Sequence, residues 1–423
     1  MSNLTLPTQK ELRVLISGAG IGGLVAAYWL IKAGASVTVL ERADQMRTEG
    51  HSVSLRQHAL PILEYMGLTD VLRGKASGEL GLKLVNKWNQ PLAHIAASDA
   101  AFTSPLQIRR GELATELYNV TKDNARFIFG DSVDTIKEDE DGLHVTLTNQ
   151  KSQQLHFDLL VVAEGLNSYT RAKVFNESVK APISRFGIFA ALFCFKSETE
   201  MWARGHHTPN SQILVIRPDR LGVTRSAAVF RVKADQLEAY RQMSNEEKRQ
   251  AIIQRYQGSG WESEKVMKAL AEADDVHLQE LSQVKCKTWS KGRAVLLGDS
   301  AYCPSPIGGM GSTAAIVGAY TLVTELVKNP TDHQAAFRSY ETSLRPWIDL
   351  IQKPGPILSK IGLPETRLGI RCFQLLFSTP VRSLLGFFIL ISQKLGISKP
   401  PVAPPISSPS IYNFKTFGHS KIE

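Results

Sequence analysis

The chain has few cysteines, and none of them are closely spaced. Cys194, Cys286, Cys303 and Cys372 are the only four in 423 residues, and no Cys-x-x-Cys pair occurs. Disulfide frameworks and structural zinc sites both need cysteines at short spacings. We therefore expect reduced thiols and no metal site.

The sequence also lacks a long apolar run. Its most apolar stretch, residues 384–391, contains Gly386 and is far shorter than the ~20 residues that a membrane-spanning helix needs. Residues 1–10 lack the apolar core of a secretory signal. These two absences predict a cytoplasmic location.

Charge of one sign is nowhere concentrated. Lys and Arg number 49 against 40 Asp and Glu, a net charge of +9, but no run of five basic residues and no nucleic-acid-binding motif occurs. Nucleic-acid-binding surfaces need clustered basic residues, so we expect no nucleic-acid partner. The remaining composition, 43% hydrophobic and 21% charged, is that of a globular protein whose length suits two domains.

The first part of the chain carries a strand, a turn, a helix and a second strand. Residues 14–16 form an apolar strand, residues 21–32 have helical periodicity, and residues 36–40 form the second strand. Between the first strand and the helix, glycines occur in the order Gly-x-Gly-x-x-Gly, at Gly18, Gly20 and Gly23. The first permits a tight turn, the second lets a phosphate approach, and the third lets helix and strand pack closely. This pattern predicts helix amides facing a pyrophosphate.

Glu41 ends the second strand. A carboxylate at this position accepts hydrogen bonds from ribose hydroxyls, and an acid there favours an unphosphorylated ribose. NAD and FAD both meet that requirement, so the first motif alone leaves the two cofactors open.

A second glycine-rich segment lies near residue 300. A short buried strand at residues 294–297 leads into Asp299, and then into a loop that contains Gly309 and Gly311. A helix over about residues 312–327 follows, and its first turn would present amide donors and a positive dipole end to an anionic group. We expect the side chain of Ser312 or Thr313 to cap this helix. NAD dehydrogenases do not need such a segment, so the two motifs together favour FAD.

Together these motifs resemble the FAD-dependent monooxygenases of the aromatic hydroxylase type, particularly the tetracycline-hydroxylase-like branch. The resemblance implies that Asp299 binds the ribityl chain of FAD and that Gly309 and Gly311 lie against the flavin pyrimidine edge. It also implies that NADPH or NADH reduces FAD and that oxygen adds at flavin C4a. The hydroperoxide oxygen would then pass to a small organic substrate. The cofactor carries this chemistry, so no side-chain nucleophile is expected.

Two further segments match the same family less closely. Residues 108–113 resemble its Arg-x-x-Leu element, which implies that Arg110 belongs to the flavin site, with Arg109 as the alternative register. Residues 163–171 resemble its Asp-Gly element, but Glu164 replaces the aspartate, so the choice between NADH and NADPH stays open. Tyr302 stands where many relatives have histidine, which would remove a titratable group from beside the cofactor.

The pattern and the resemblance together predict an α/β fold. We expect a Rossmann-like, three-layer ββα FAD-binding domain interleaved with a β-sheet substrate domain, plus C-terminal helices. The FAD-binding domain is predicted over residues 1–178, with substrate-domain elements near residues 80–106, and again over residues 289–345. The substrate domain is predicted over residues 179–288, and the C-terminal helices and tail over residues 346–423.

No side chain is assigned a catalytic role. His206, His207, Tyr302 and Arg217 lie near segments that could form a cavity, but none belongs to a motif, and the two histidines are expected to be a solvated loop pair. The strand aromatics of the middle segment are expected to fill a core. Hydroxylation, epoxidation and Baeyer-Villiger insertion stay open, and a phenolic or polycyclic secondary metabolite is the substrate hypothesis.

The C-terminal part of the chain contains two apolar helical segments, at residues 368–377 and 381–395. They could lie on a membrane surface, helped by Arg371, Arg382 and Lys394. Packing across the two domains is the outcome that we expect instead. The sequence does not indicate an oligomeric state.

Three other functions are compatible with parts of the sequence. A non-oxygenating FAD-dependent oxidase, dehydrogenase or reductase could use the same two signatures. A flavin-binding scaffold or sensor without turnover is suggested by Glu164 and Tyr302. A nucleic-acid binder would depend on net charge alone. Oxygen incorporation coupled to NAD(P)H consumption separates the monooxygenase from all three.

Overall fold

The computed structural model describes residues 11–47, 52–97, 104, 106–150, 154–196, 200–219, 222–376 and 404–411. The strands are β1 (Arg13–Ser17), β2 (Ser36–Glu41), β3 (Ser52–Leu55), β4 (Gly81–Val85), β5 (Pro91–Ala96), β6 (Leu106–Arg109), β7 (Arg126–Phe129), β8 (Val133–Glu138), β9 (Leu143–Leu147), β10 (Gln154–Phe157), β11 (Leu159–Val162), β12 (Ile183–Lys196), β13 (Trp202–Thr208), β14 (Gln212–Pro218), β15 (Val223–Arg231), β16 (Val276–Val284), β17 (Ser290–Lys291) and β18 (Ala294–Leu296).

The helices are α1 (Ile21–Lys32), α2 (Leu60–Tyr65), α3 (Thr69–Gly74), α4 (Arg110–Asn119), α5 (Tyr169–Phe175), α6 (Leu237–Gln242), α7 (Asn245–Tyr256), α8 (Ser263–Glu272), α9 (Asp299–Tyr302), α10 (Gly311–Lys328), α11 (His333–Gln352), α12 (Pro354–Ile361) and α13 (Arg367–Leu376). Two 3-10 turns lie at Pro306–Gly308 and Pro409–Ile411.

A six-stranded sheet in the order β17-β18-β11-β1-β2-β7 forms the centre of the first domain. Its strands are parallel except for β17, so the carboxyl ends of β18, β11, β1 and β2 meet at one edge. β1 and β11 are apolar because both faces of the sheet are covered. Helices α1 and α10 pack against each other, and the β8–β9–β10 meander contributes Leu143, Val145 and Phe157 to the same core. These layers form the three-layer ββα arrangement.

Helix α1 has the bounds that the apolar periodicity predicts. Ten of its twelve residues are buried, because the helix lies between the sheet and α10. Gly34 follows the helix with φ +84°, a left-handed conformation that favours glycine and turns the chain into β2.

The second large sheet has seven strands in the order β16-β12-β15-β14-β13-β4-β5. One face packs against α6, α7 and α8 through an aromatic core that includes Phe189, Phe193 and Phe230. On the other face Ile188 and Ala190 pack with residues outside the sheet. Successive side chains of a strand point to opposite faces of the sheet. A continuous apolar sequence such as that of β12 therefore packs on both faces.

Strand β13 corrects one sequence-based expectation. His206 and His207 are buried in this strand, so the prediction of a solvated loop pair is wrong. The imidazole of His206 contacts the carbonyl oxygen of Val85 at 2.9 Å, and Nε2 of His207 contacts the carbonyl oxygen of Gly362 at 3.0 Å on the opposite face. Adjacent residues of a strand point to opposite faces, so each histidine is buried by a different part of the protein. The polarity of the neighbouring residues in the sequence does not indicate this burial.

The C-terminal helices continue from α10. Helix α11 packs against α10 through buried residues such as Phe337 and Tyr340. Helix α13 contacts β13 and β5, whereas the apolar segment expected over residues 381–395 lies outside the described residues. In the described ranges no helix is both long enough and apolar enough to cross a membrane.

All four cysteines are free thiols. Among the residues that the structure describes, no group of three or more His, Cys, Asp or Glu side chains could hold a metal ion.

Candidate functional site

The first glycine turn lies where β1 ends. Gly18 has φ +112°, and its amide donates a hydrogen bond to the carbonyl oxygen of Leu40 at 2.7 Å. A Cβ atom on Gly18 would lie 2.5 Å from the carbonyl oxygen of Ala163, and one on Gly23 would lie 2.0 Å from the carbonyl oxygen of Gly18. Neither position can carry a side chain unless the backbone moves. The absence of side chains at Gly18 and Gly23 therefore lets α1 lie close to β1.

Gly20 differs from these two glycines because it has space around it. A Cβ atom there would meet only the carbonyl oxygen of Ala163, at 3.9 Å. Gly20 is the N-cap of α1, no side chain caps the helix, and its first turn contains no acid. The free amides and the positive end of the helix dipole therefore suit an anionic group such as a pyrophosphate.

Glu41 lies at the end of β2, beside the glycine turn. Its carboxylate accepts a hydrogen bond from the amide of Ala19 at 3.0 Å and another from the amide of Ala43 at 3.0 Å. These two bonds hold the carboxylate at the carboxyl edge of the sheet, in the position where the sequence predicts a ribose contact.

Asp299 begins α9 at the end of β18, after Gly298 with φ +64°. Burial raises the pKa of Asp299, and the positive charge of Arg110 and a hydrogen bond from the Cys303 thiol act in the opposite direction. A Cβ atom on Gly311 would lie 3.8 Å from Oδ1 of Asp299. The carboxylate therefore lies directly beside the start of α10.

Helix α10 begins at Gly311 without a side-chain cap. The expectation that Ser312 or Thr313 caps it is wrong for a local reason. The Thr313 hydroxyl accepts a hydrogen bond from the amide of Arg56 at 3.2 Å and donates one to the carbonyl oxygen of Ser54 at 3.4 Å. Gly309, with φ +61°, closes the preceding 3-10 turn, so the amides at the start of α10 are left for a ligand.

The two arginines before and at the start of α4 have different surroundings. Arg110 is exposed, and its charge acts on Asp299. Arg109 instead donates to the carboxylate of Glu112 at 2.7 Å. The structure thus brings Arg110 to the same edge as Asp299, and it uses Arg109 in a pair within its own segment.

Arg56 is the residue that sequence reasoning missed. It is 3% exposed at the end of β3, and its guanidinium donates to the carbonyl oxygens of Gly309 and Gly308, both at 3.4 Å. Its guanidinium therefore holds the 3-10 turn, while its amide contacts Thr313 of α10. The available signal was a single cation directly after a short strand in which serine alternates with apolar residues, and this signal is weak without the glycine loop as its partner.

Glu164 has a structural environment that accounts for its longer side chain. It accepts hydrogen bonds from the hydroxyls of Ser17 at 2.5 Å and Ser168 at 2.7 Å, from the amide of Thr170 at 3.0 Å, and from the Thr170 hydroxyl. It therefore ties the end of β1 to the start of α5. Next to it, the amide of Gly165 donates to the Ser300 hydroxyl at 2.9 Å, which joins this loop to α9.

Tyr302, which stands where many relatives have histidine, has its side chain in the core. Its side chain is buried between α10 and α11, with its hydroxyl 2.9 Å from the hydroxyl of Tyr340. Burial raises the pKa of Tyr302 above its ordinary value. Gly318 makes room for this ring, because a Cβ atom there would lie 2.0 Å from the tyrosine oxygen.

An α/β protein with two uncapped helix N-termini and two carboxylates at one parallel-sheet edge is a dinucleotide-binding protein by its architecture. The space above Gly20 and beside Gly311 is a cradle that side chains would fill, which fits an extended dinucleotide such as FAD.

The comparison with known families is more specific. Residues 11–349 match the family model described as FAD binding domain. The FAD-dependent monooxygenase asL4 of Sarocladium schorii is 34% identical over 333 residues, covering 75% of this chain and 76% of that protein. The flavin-dependent monooxygenase eupH of Phoma sp is 32% identical over 394 residues, covering 86% of this chain and 90% of that protein. The chain therefore belongs to the FAD-dependent monooxygenases with this FAD binding domain, which are oxidoreductases.

A solved structure supports the same assignment. The crystal structure of tetracycline destructase Tet(55) matches with a TM-score of 0.76 and 25% identity, covering 95% of this chain and 100% of that chain. The predicted resemblance, the α/β fold with an FAD-binding domain, and FAD as cofactor are confirmed by these findings.

Proposed function

We propose that the protein is an NAD(P)H-consuming monooxygenase that inserts one oxygen atom into a small aromatic or polycyclic molecule. The observation that carries the proposal is the carboxyl edge of the six-stranded sheet, where the uncapped start of α10 lies beside Asp299 and the uncapped start of α1 follows the end of β1. The relatives named as monooxygenases and the structural similarity to a tetracycline destructase support it.

Each part of the edge has a proposed role. The amides at the start of α1, with the turn around Gly18, Gly20 and Gly23, bind the pyrophosphate, and Glu41 binds ribose hydroxyls. Asp299 holds the ribityl chain, while Gly309 and Gly311 present amides to the flavin ring and Arg110 adds positive charge beside it. Bound FAD would supply the chemistry of electron uptake from NAD(P)H and of oxygen activation.

The two sheets support a division of the chain into domains. We propose that residues 1–178 and 289–345 form the FAD-binding domain, with a contribution from residues near 80–106 to the substrate domain. Residues 179–288 form the substrate domain, and residues 346–423 form the C-terminal region. In support, β4 pairs with β13 in the seven-stranded sheet and β5 pairs with β4, although both precede β13 by over a hundred residues.

The substrate would lie against the face of the seven-stranded sheet opposite α6–α8. There Ile188 and Ala190 of β12 pack with Leu363, and Ile307 of the 3-10 turn packs against the same cluster. This contact brings an apolar wall to the turn that precedes α10. An apolar ring system fits such a wall, because its burial needs no polar partner.

None of the side chains considered as a base is free to act as one in the described structure. His206 and His207 contact backbone carbonyl oxygens, and burial lowers the pKa of His207 to about 4. Arg217 forms a two-bond pair with Glu79 at 3.1 and 2.9 Å. We therefore assign the protein the tasks of positioning the reactants and excluding water, with no catalytic side chain.

The test begins with the full chain reconstituted with FAD. Phenols, polyketides and alkaloids are screened with NADPH and with NADH for substrate-stimulated oxidation of the nicotinamide, and products are analysed after reaction under ¹⁸O₂. We expect one labelled oxygen atom in the product. Oxidation of substrate without label would favour an oxidase or dehydrogenase, and the absence of turnover with every substrate would favour a flavin-binding scaffold.

A further inference from the structure

Exposed apolar side chains are concentrated on the two short C-terminal helices. Of the eleven large apolar side chains that are exposed among the described residues, five belong to α12 and α13. They are Ile357, Ile361, Leu368, Leu375 and Leu376. Single exposed leucines are common on protein surfaces, whereas a concentration of this kind marks an interaction surface.

Helix α13 has two apolar sides, and within the described part of the chain one of them is buried and the other is exposed. Ile370 and Phe373 are buried, and the ring of Phe373 lies 5.1 Å from that of His207 in β13. Leu368 is 71% exposed and Leu375 is 61% exposed. These two leucines are about two turns apart and so lie on the same side of the helix, opposite Ile370 and Phe373. The helix is therefore held with a leucine face directed outward.

The exposed charges around these side chains are almost all positive. Lys353, Lys360, Arg367 and Arg371 are exposed, and Glu365 is the only acid in residues 353–376. Arg371 lies between Leu368 and Leu375 in the sequence. An apolar face flanked by cations complements an anionic lipid surface. A two-fold contact with a second copy would instead bring two sets of these cations into one interface.

We propose that the outward face of α12 and α13 binds the surface of an anionic lipid bilayer. The isoleucine and leucine side chains enter the headgroup region, and the arginines and lysines contact lipid phosphates. The surface is close to the candidate site, because α12 also packs against the 3-10 turn Pro306–Gly308. Apolar molecules dissolved in a bilayer would therefore reach the protein on this side. The inference is independent of the reaction proposed above.

The test measures co-sedimentation of the FAD-loaded full chain with vesicles. One set contains phosphatidylcholine alone, and the other contains phosphatidylcholine with phosphatidylserine. We expect stronger binding to the second set and weaker binding as salt is added. The double variant Ile357→Glu/Leu368→Glu should lower the vesicle affinity at least about tenfold, because carboxylates oppose both insertion and the lipid charge. Arg367→Gln/Arg371→Gln should lower it about tenfold.

Matched controls change the same residue types elsewhere on the surface. Leu80→Glu/Leu92→Glu alters two leucines that are 50% and 42% exposed, and Lys265→Gln/Lys268→Gln removes two exposed cations of α8. Both control variants should bind vesicles as the unaltered protein does. All variants should keep its melting temperature and its FAD absorbance.

Three results would overturn the proposal. The first is failure of the unaltered protein to sediment with phosphatidylserine vesicles at low salt. The second is unchanged vesicle binding by the variants of α12 and α13, which would assign lipid binding to another part of the chain. The third is a dimer in light scattering that Ile357→Glu/Leu368→Glu dissociates without any lipid binding, which would make the face a contact between copies.

Discussion

The carboxyl edge of the six-stranded sheet and the interior of the seven-stranded sheet are built in different ways. At the edge, a Cβ atom on Gly18 or Gly23 would lie 2.5 or 2.0 Å from a backbone oxygen. In the seven-stranded sheet, a Cβ atom on Gly205 would meet only side chains, the nearest being Ile213 at 3.4 Å and Leu84 at 3.5 Å. The edge depends on backbone geometry, and the interior of the sheet around Gly205 depends on packed side chains.

The two regions also use their charged groups differently. Asp299 lies at the cofactor edge with a pKa that burial raises, so its charge is costly unless a ligand uses it. In the seven-stranded sheet the guanidinium of Arg225 donates to Asp219 at 2.6 Å, with 4% and 1% of the two side chains exposed. Changes at the edge should therefore act on FAD binding, and changes in the sheet should act on stability.

The largest expected effect compares two glycines. Gly23→Ala should lower the free energy of unfolding by about 4 kcal/mol or more and abolish FAD retention, because the new methyl group overlaps a backbone oxygen. Gly205→Ala should cost less than about 2 kcal/mol, because side chains can move by the few tenths of an ångström required. Denaturant unfolding and flavin absorbance check both. Equal losses would mean that the two regions do not differ as described.

The second prediction breaks the buried ion pair of the seven-stranded sheet. Arg225→Met should cost about 3–5 kcal/mol of stability, because it leaves Asp219 buried without its guanidinium partner. Adding Asp219→Asn should restore most of the loss, since no buried charge then remains. FAD affinity, measured by fluorescence titration of the folded protein, should stay unchanged in the double variant. A weakened affinity there would connect this pair to the cofactor edge.

The same difference decides how much could be predicted from the sequence. Short motifs predict the turn at Gly18, the helix at Ile21–Lys32 and the position of Asp299. The backbone constraints at these places are local, and they require glycine at positions that can be recognised in the sequence. Arg56 could not be predicted, because it contacts Gly309, 253 positions away. A contact of that kind leaves no pattern in the neighbouring residues.

Tyr302 shows a similar limit within a recognised motif. Its place beside Asp299 in the sequence suggested a place beside the cofactor, but its ring points into the space left by Gly318 on α10. The direction of the side chain depends on which distant residue makes room for it. The two histidines of β13 were misjudged for the same reason, since Val85 and Gly362, whose carbonyl oxygens they contact, are distant in the chain.

The third prediction concerns pH. Burial lowers the pKa of His207 to about 4, so the folded protein binds fewer protons than the unfolded chain between that value and the ordinary 6.5. The stability is therefore fully present above about pH 6.5 and falls as the pH drops toward 4, by up to about 3 kcal/mol. His207→Leu should flatten this dependence in unfolding measured across the range. His94→Gln, which changes an exposed histidine, should leave the slope as it is.

The fourth prediction separates FAD binding from stability at Asp299. Asp299→Ala should weaken FAD binding at least about tenfold, or about 1.4 kcal/mol. Asp299→Asn should weaken it too, but should stabilise the FAD-free protein at neutral pH. Because burial raises the pKa of Asp299, the stability of the FAD-free protein falls as the pH rises above the ordinary pKa of this carboxyl. The amide of asparagine does not ionise, so the Asn variant avoids this loss. Titration of FAD and melting of the FAD-free protein measure the two effects. Unchanged FAD affinity in both variants would contradict the assignment.

The smallest expected effect concerns Arg56. It combines both features of the comparison, because it is a buried side chain that holds the backbone of the cofactor edge. Arg56→Lys keeps the charge but cannot reach both Gly308 and Gly309, so FAD binding should weaken about threefold; Arg56→Met should weaken it about tenfold. The reduction potential of bound FAD should fall in the same order, because a misplaced turn aims fewer amides at the reduced ring. If Lys restored both quantities completely, charge alone would account for Arg56, and the cofactor edge would depend less on backbone geometry than its glycines indicate.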